Sequence, residues 1–123
     1  MTNSRIRDIK HAQKESLLLQ TIGQFFVQIQ QDQPELQKLS ISRVQLSPEK
    51  GSCTVYFYAL GGIQEYEALR SLLVLYKPSL RKAVAQEIRG RYTPEIRFKY
   101  DEKSEKQRRV DDLIETLKRE GKL

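Results

Sequence analysis

The chain is poor in the residues that would staple, ligate or anchor it. One cysteine, Cys53, stands among 123 residues and leaves no partner for an internal disulfide. That fits a reducing compartment, and a domain of this length can bury enough surface without a staple. Its place in the run Ser52-Cys53-Thr54-Val55-Tyr56-Phe57-Tyr58 predicts a small packed side chain rather than a reactive thiol. The one histidine, His11, has no cysteine near it in sequence and is expected to be solvated, not a metal ligand. There is no tryptophan, and no apolar run approaches the ~20 residues needed to cross a bilayer. The opening Met1-Thr2-Asn3-Ser4-Arg5 lacks the apolar core of a secretory signal, so a cytoplasmic location with no membrane attachment is expected. Catalytic patterns are missing too. Gly61-Gly62 is not followed by the Lys-Ser or Lys-Thr of a phosphate loop. Asp111-Asp112 lie among basic residues, where ion pairing accounts for them, and no nucleophile stands beside a base. No enzymatic activity, cofactor, metal or small-molecule substrate is expected.

Positive charge is what the chain has, and it is unevenly placed. Lys and Arg number 22 against 16 Asp and Glu, for a net charge of +6. Met1 to Leu69 holds seven residues of each sign, so the whole excess lies from Arg70 onward. Within it, Arg70, Lys77, Arg81, Lys82, Arg89 and Arg91 face only Glu87, a net +5 in 22 residues. Such a density suits a polyanion, and structured RNA is the expected ligand. A solvated helix face is the competing reading, and a basic surface meeting an acidic protein is another.

Periodicity supplies the elements. Leu18, Ile22, Phe25 and Ile29 form one stripe of a helix from about Arg7 to Gln31, ended by Asp32-Gln33-Pro34. Leu39, Ile41, Val44 and Leu46 mark a strand whose apolar phase slips after Ile41, which predicts a bulge or burial on both faces. Ser47-Pro48-Glu49-Lys50-Gly51 is a turn in which Gly51 is free to take positive φ, leading antiparallel into a strand from Ser52 to about Leu60. A helix follows from about Gln64 to Leu75, with Leu69, Leu72 and Leu73 inward. Pro78 should push Lys77 out of helical geometry and open a new helix to about Arg89, with Leu80, Val84 and Ile88 inward and Arg81, Lys82 and Arg89 turned away. Glu95-Ile96-Arg97-Phe98-Lys99-Tyr100 alternates strictly, as a half-buried strand does. A last helix, from about Lys103 to Glu120, carries Val110, Leu113, Ile114 and Leu117 on one stripe. The expected fold is therefore α+β: three strands in one sheet, with helices on one face.

That order, α-β-β-α-α-β plus a C-terminal helix, resembles the type II K-homology domain, in which RNA lies along a helix–turn–helix edge. The chain resembles the ribosome-binding factor A family more closely, over nearly its whole length. The resemblance rests on Arg5-Ile6-Arg7-Asp8-Ile9 before the long helix and on Thr54-Val55-Tyr56-Phe57 in the hairpin. It continues through Leu80-Arg81, the run from Arg91 through Pro94-Glu95 to Asp101, and Arg109-Val110-Asp111-Asp112-Leu113-Ile114. It implies a monomeric assembly factor that binds the immature small ribosomal subunit and its 16S rRNA and assists late maturation. Arg5, Arg7, Arg108 and Arg109 join the six basic residues above as expected RNA contacts. The family usually has an Ala-x-Gly kink between its paired helices, where this chain has Tyr76-Lys77-Pro78. Residues 1–102 are expected to form the RNA-binding domain. Residues 103–123 should be a basic helical extension that gains order on a partner, with Lys106, Arg108 and Arg109 near phosphates.

Overall fold

No proline, and no glycine before Gly23, interrupts the first 32 residues, and in the computed structural model they form one helix, α1 (Thr2–Asp32). The structure describes residues 2–88 and 92–122. At 1.5 Å per residue α1 is about 46 Å long, several residues longer at its start than the apolar stripe predicts. Its buried residues are Leu18, Ile22, Phe26 and Ile29. Phe26 replaces the expected Phe25 because it meets Phe57 edge-on, with ring centroids 5.4 Å apart, while Phe25 stays half-buried. Pro34 opens a short 3-10 turn (Pro34–Lys38) that leads into the sheet.

The sheet runs β1 (Leu39–Leu46), β2 (Ser52–Ala59) and β3 (Glu95–Tyr100) in spatial order, with β1 antiparallel and β3 parallel to β2. The phase slip in β1 is a bulge: Ile41 pairs with Phe57 and Arg43 with Tyr56, leaving Ser42 extra. The bulge keeps Val44 and Leu46 on the same side as Leu39 and Ile41, toward the helices. In the hairpin turn the positive φ falls on Lys50 (φ 62), not on Gly51. The Lys50 N–H donates to the Ser47 carbonyl at 2.8 Å, closing a four-residue turn, Ser47–Lys50, at whose end Lys50 takes the left-handed conformation.

His11 is not the solvated side chain expected of it. Its Nε2 lies 2.9 Å from the Leu46 carbonyl, and the Leu46 N–H donates to Glu15 at 2.8 Å. Two side chains one turn apart on α1 thus occupy both backbone groups of the last residue of β1, an edge strand that would otherwise expose them.

Gly61 and Gly62 turn the chain from β2 into α2 (Ile63–Val74). Gly62 has φ 81, a left-handed conformation that favours glycine. Helix α3 (Lys77–Glu87) follows after only Leu75 and Tyr76. Lys77 is its first residue and Pro78 its second, so the proline does not expel Lys77 from the helix: a ring in the first turn removes an N–H with no intrahelical acceptor. Tyr76 packs against the core. Helices α1, α2 and α3 cover one sheet face, where Cys53, Val55, Phe57, Ile96 and Phe98 are buried. The other face, with Thr54, Tyr56, Arg97 and Lys99 pointing outward, carries no such layer among the described residues.

Helix α4 (Glu102–Arg119) leaves the end of β3 and has no buried residue. Val110, Leu113 and Ile114 are 50%, 59% and 39% exposed. Its start is held by Asp101, only 2% exposed, which accepts hydrogen bonds from the Ser104 N–H (3.1 Å), the Ser104 hydroxyl (2.9 Å), the Ser42 hydroxyl (2.7 Å) and Arg43 Nε (3.3 Å). Among the described residues no helix is long and apolar enough to cross a membrane.

Candidate nucleic-acid interface

Helix α3 buries Leu80 and Val84, Ile88 is buried one residue past its end, and Arg81 and Lys82 turn outward, as the apolar spacing predicts. What the spacing does not reveal is the neighbour of the basic side. Pro78, Arg81, Lys82 and Ala85 fall on one face of α3, and that face borders β3 across an open groove of about 810 Å³. Small side chains at Pro78 and Ala85 keep the groove from being filled. Val74 and Ile96 give it an apolar wall, and Lys77, Arg81 and Lys82 give it three cations. Tyr92, 79% exposed, stands at its end beside Thr93. Glu95 is the acidic member, and it pairs with Arg97 at 3.3 Å. Lys77 Nζ also lies 5.7 Å from the Phe98 ring centroid. An unpaired polyanionic strand fits such a groove: cations for its phosphates, an exposed ring and apolar walls for its bases.

Of the ten basic residues singled out from the sequence, the groove gathers Lys77, Arg81 and Lys82. Arg89 and Arg91 lie outside the described residues. Arg70 stands on α2 one turn after Tyr66 and one turn before Val74, beside the groove rather than lining it. It is near the buried Tyr66 hydroxyl, whose pKa burial raises and the Arg70 charge lowers. Arg7 lines a different depression, of about 420 Å³, with Lys10, His11 and Lys50 at the hairpin turn, and Arg5 is exposed near the start of α1. Arg108 and Arg109 are on α4, beside Tyr58 and Gly61-Gly62, and Arg109 pairs with Glu105 at 3.2 Å. Sequence reasoning missed Tyr92, whose signal is an aromatic residue just past a basic helix.

Cys53 is fully buried, and burial first, with the Glu15 charge second, pushes its pKa to about 12. It packs in the core. Among the described residues, no three His, Cys, Asp or Glu side chains come together so as to hold a metal ion.

A three-stranded mixed sheet, helices on one face and a tight helix–turn–helix beside an edge strand define a type II K-homology-like domain. Residues 10–114 match the family profile of ribosome-binding factor A, and the chain belongs to that family. A ribosome-binding factor A from Syntrophomonas wolfei is 36% identical over 89 residues, 72% of this chain and 72% of the relative. One from Rhodopseudomonas palustris is 31% identical over 78 residues, 63% of this chain but only 56% of the relative's length. The crystal structure of ribosome-binding factor A from Thermus thermophilus matches with a TM-score of 0.58 and 26% identity. That match covers 73% of this chain and 93% of the other.

Proposed function

We propose that this protein binds the immature small ribosomal subunit in the cytoplasm, holding an unpaired segment of its 16S rRNA in the α3–β3 groove and assisting late maturation without itself catalysing a reaction. The observation that carries the reading is the convergence of Lys77, Arg81 and Lys82 on one groove with an exposed tyrosine at its end. The family's name supports the ribosomal partner. Residues 1–102 act as the binding domain in a monomer. Helix α4 is an extension whose exposed Val110, Leu113 and Ile114 meet the particle, with Lys106, Arg108 and Arg109 near phosphates.

Co-sedimentation with small-subunit precursors over a range of salt concentrations tests the proposal. The three groove cations, neutralising three phosphates of a single strand, contribute roughly −2 to the slope of log affinity against log salt. Replacing Arg81 and Lys82 together by Glu should weaken binding and flatten the slope. An unchanged slope and affinity in the folded double variant would favour a protein adaptor. Equal affinity for any unpaired RNA would favour a general K-homology binder.

A further inference from the structure

We propose that the RNA track does not end at the groove. It continues around the end of β3 to a platform on the open sheet face, where the Arg43 guanidinium over the Tyr56 ring takes one unpaired RNA base. The inference rests on the groove for the RNA itself and adds a second contact beyond it.

The path is laid out by α2. Val74 lines the groove at one end of the helix. Ile63 and Tyr66 line a second depression, of about 440 Å³, at the other. About 16 Å of helix separates Ile63 from Val74, and Arg70 occupies the turn between them on the same side. The second depression is also lined by Lys99 and Lys103, and it reaches Arg43 and Tyr56 on the far face of the sheet. Strand register explains why it can. Arg43 pairs with Tyr56 and Tyr56 pairs with Lys99, so the three stand in one row across the sheet, each ~4.8 Å from the next. A strand leaving the groove therefore meets Arg70, then Lys99 and Lys103 with the exposed Glu102 beside them, then the platform, so cations outnumber the exposed carboxylate along the way.

The platform is built before any ligand arrives. Arg43 Cζ lies 3.9 Å from the Tyr56 ring centroid. Its Nε is held by the buried Asp101, which Ser42 and Ser104 hold in turn. Tyr56 is steadied by its hydroxyl, 3.1 Å from Gln45 Oε1. The Arg43 side chain is still 45% exposed, and a guanidinium plane is a surface on which unstacked RNA bases lie. Holding the arginine in place reduces the ordering that binding would otherwise require.

Oligouridylates of two lengths test the inference: about four nucleotides, as many as a K-homology cleft clamps, and about ten. Affinities are measured by fluorescence anisotropy on the full chain. Arg43→Lys and Tyr56→Thr should each weaken the longer RNA about tenfold, as loss of one stacked base does, and leave the shorter one unchanged. Arg43→Lys keeps the charge beside Asp101, so a variant that binds the longer RNA like the parent would overturn stacking. Equal weakening at both lengths would overturn the extended track. The Arg81→Glu, Lys82→Glu variant should weaken both lengths. If the parent protein bound neither, the groove reading would fail and this inference with it.

Discussion

Replacing Asp101 by Ala removes one carboxylate that four groups share, and its cost can be worked out from their surroundings. The Ser104 N–H loses its cap on α4, a change worth about 1 kcal/mol. The Ser42 and Ser104 hydroxyls lose bonds of 2.7 and 2.9 Å. Both lie near solvent and can turn toward water, so each loss is worth about 0.5–1 kcal/mol. Arg43, with its side chain 45% exposed, adds little once screening is counted. The sum is about 2–3 kcal/mol, or roughly 8–12 °C in Tm for a chain of this size. Burial pushes the Asp101 pKa up, but the Ser42 and Ser104 hydrogen bonds and the Arg43 charge outweigh it, and the carboxyl sits below its usual range. A carboxyl with a folded pKa below the unfolded value of about 3.9 stabilises fully above roughly pH 5. That stabilisation is lost as the pH falls through the folded value. Urea unfolding followed by circular dichroism from pH 7 to pH 2 should therefore show a gap between parent and variant that is constant to about pH 5 and narrows below it. A gap under ~1 kcal/mol at pH 7, or one that stays constant to pH 2, would overturn this account of Asp101.

Three further outcomes follow from the packing. Gly23 lies inside α1 with open space where a Cβ would stand, so Gly23→Ala should raise stability by about 0.5–1 kcal/mol; a loss in thermal unfolding would contradict the open site. Cys53, with a pKa of about 12, should resist a thiol-reactive dye at pH 8 in the folded protein and label on unfolding, and rapid stoichiometric labelling of the native chain would count against the burial. A chain ended after Glu102 should still unfold cooperatively, because α4 buries no residue, and Asp101→Ala should cost less in it than in the full chain. Failure of the shortened chain to fold would place α4 in the core.

What depends on near neighbours was legible in the residues alone. Helix and strand periods follow from backbone geometry, so the stripe of Leu80, Val84 and Ile88 and the alternation of Ile96, Phe98 and Tyr100 declared their elements and their buried sides. The slip in β1 pointed to a bulge or to burial on both faces, and strand pairing made it a bulge at Ser42; the dense basic run from Arg70 pointed to a basic α3 because its members lie close together in sequence. Whatever depends on which faces meet was settled by the assembled fold. Phe26 rather than Phe25 is buried because Phe57 stands opposite it, and His11 is engaged because Leu46 ends an edge strand beside it. Lys77, Arg81 and Lys82 line a groove only because α3 lies beside β3, while Arg70, from the same charged run, stands next to Tyr66 instead. Arg43, Tyr56 and Lys99 are far apart in sequence and are joined by strand register alone. Pairing register and helix placement are set by the whole core at once, and no local period encodes them.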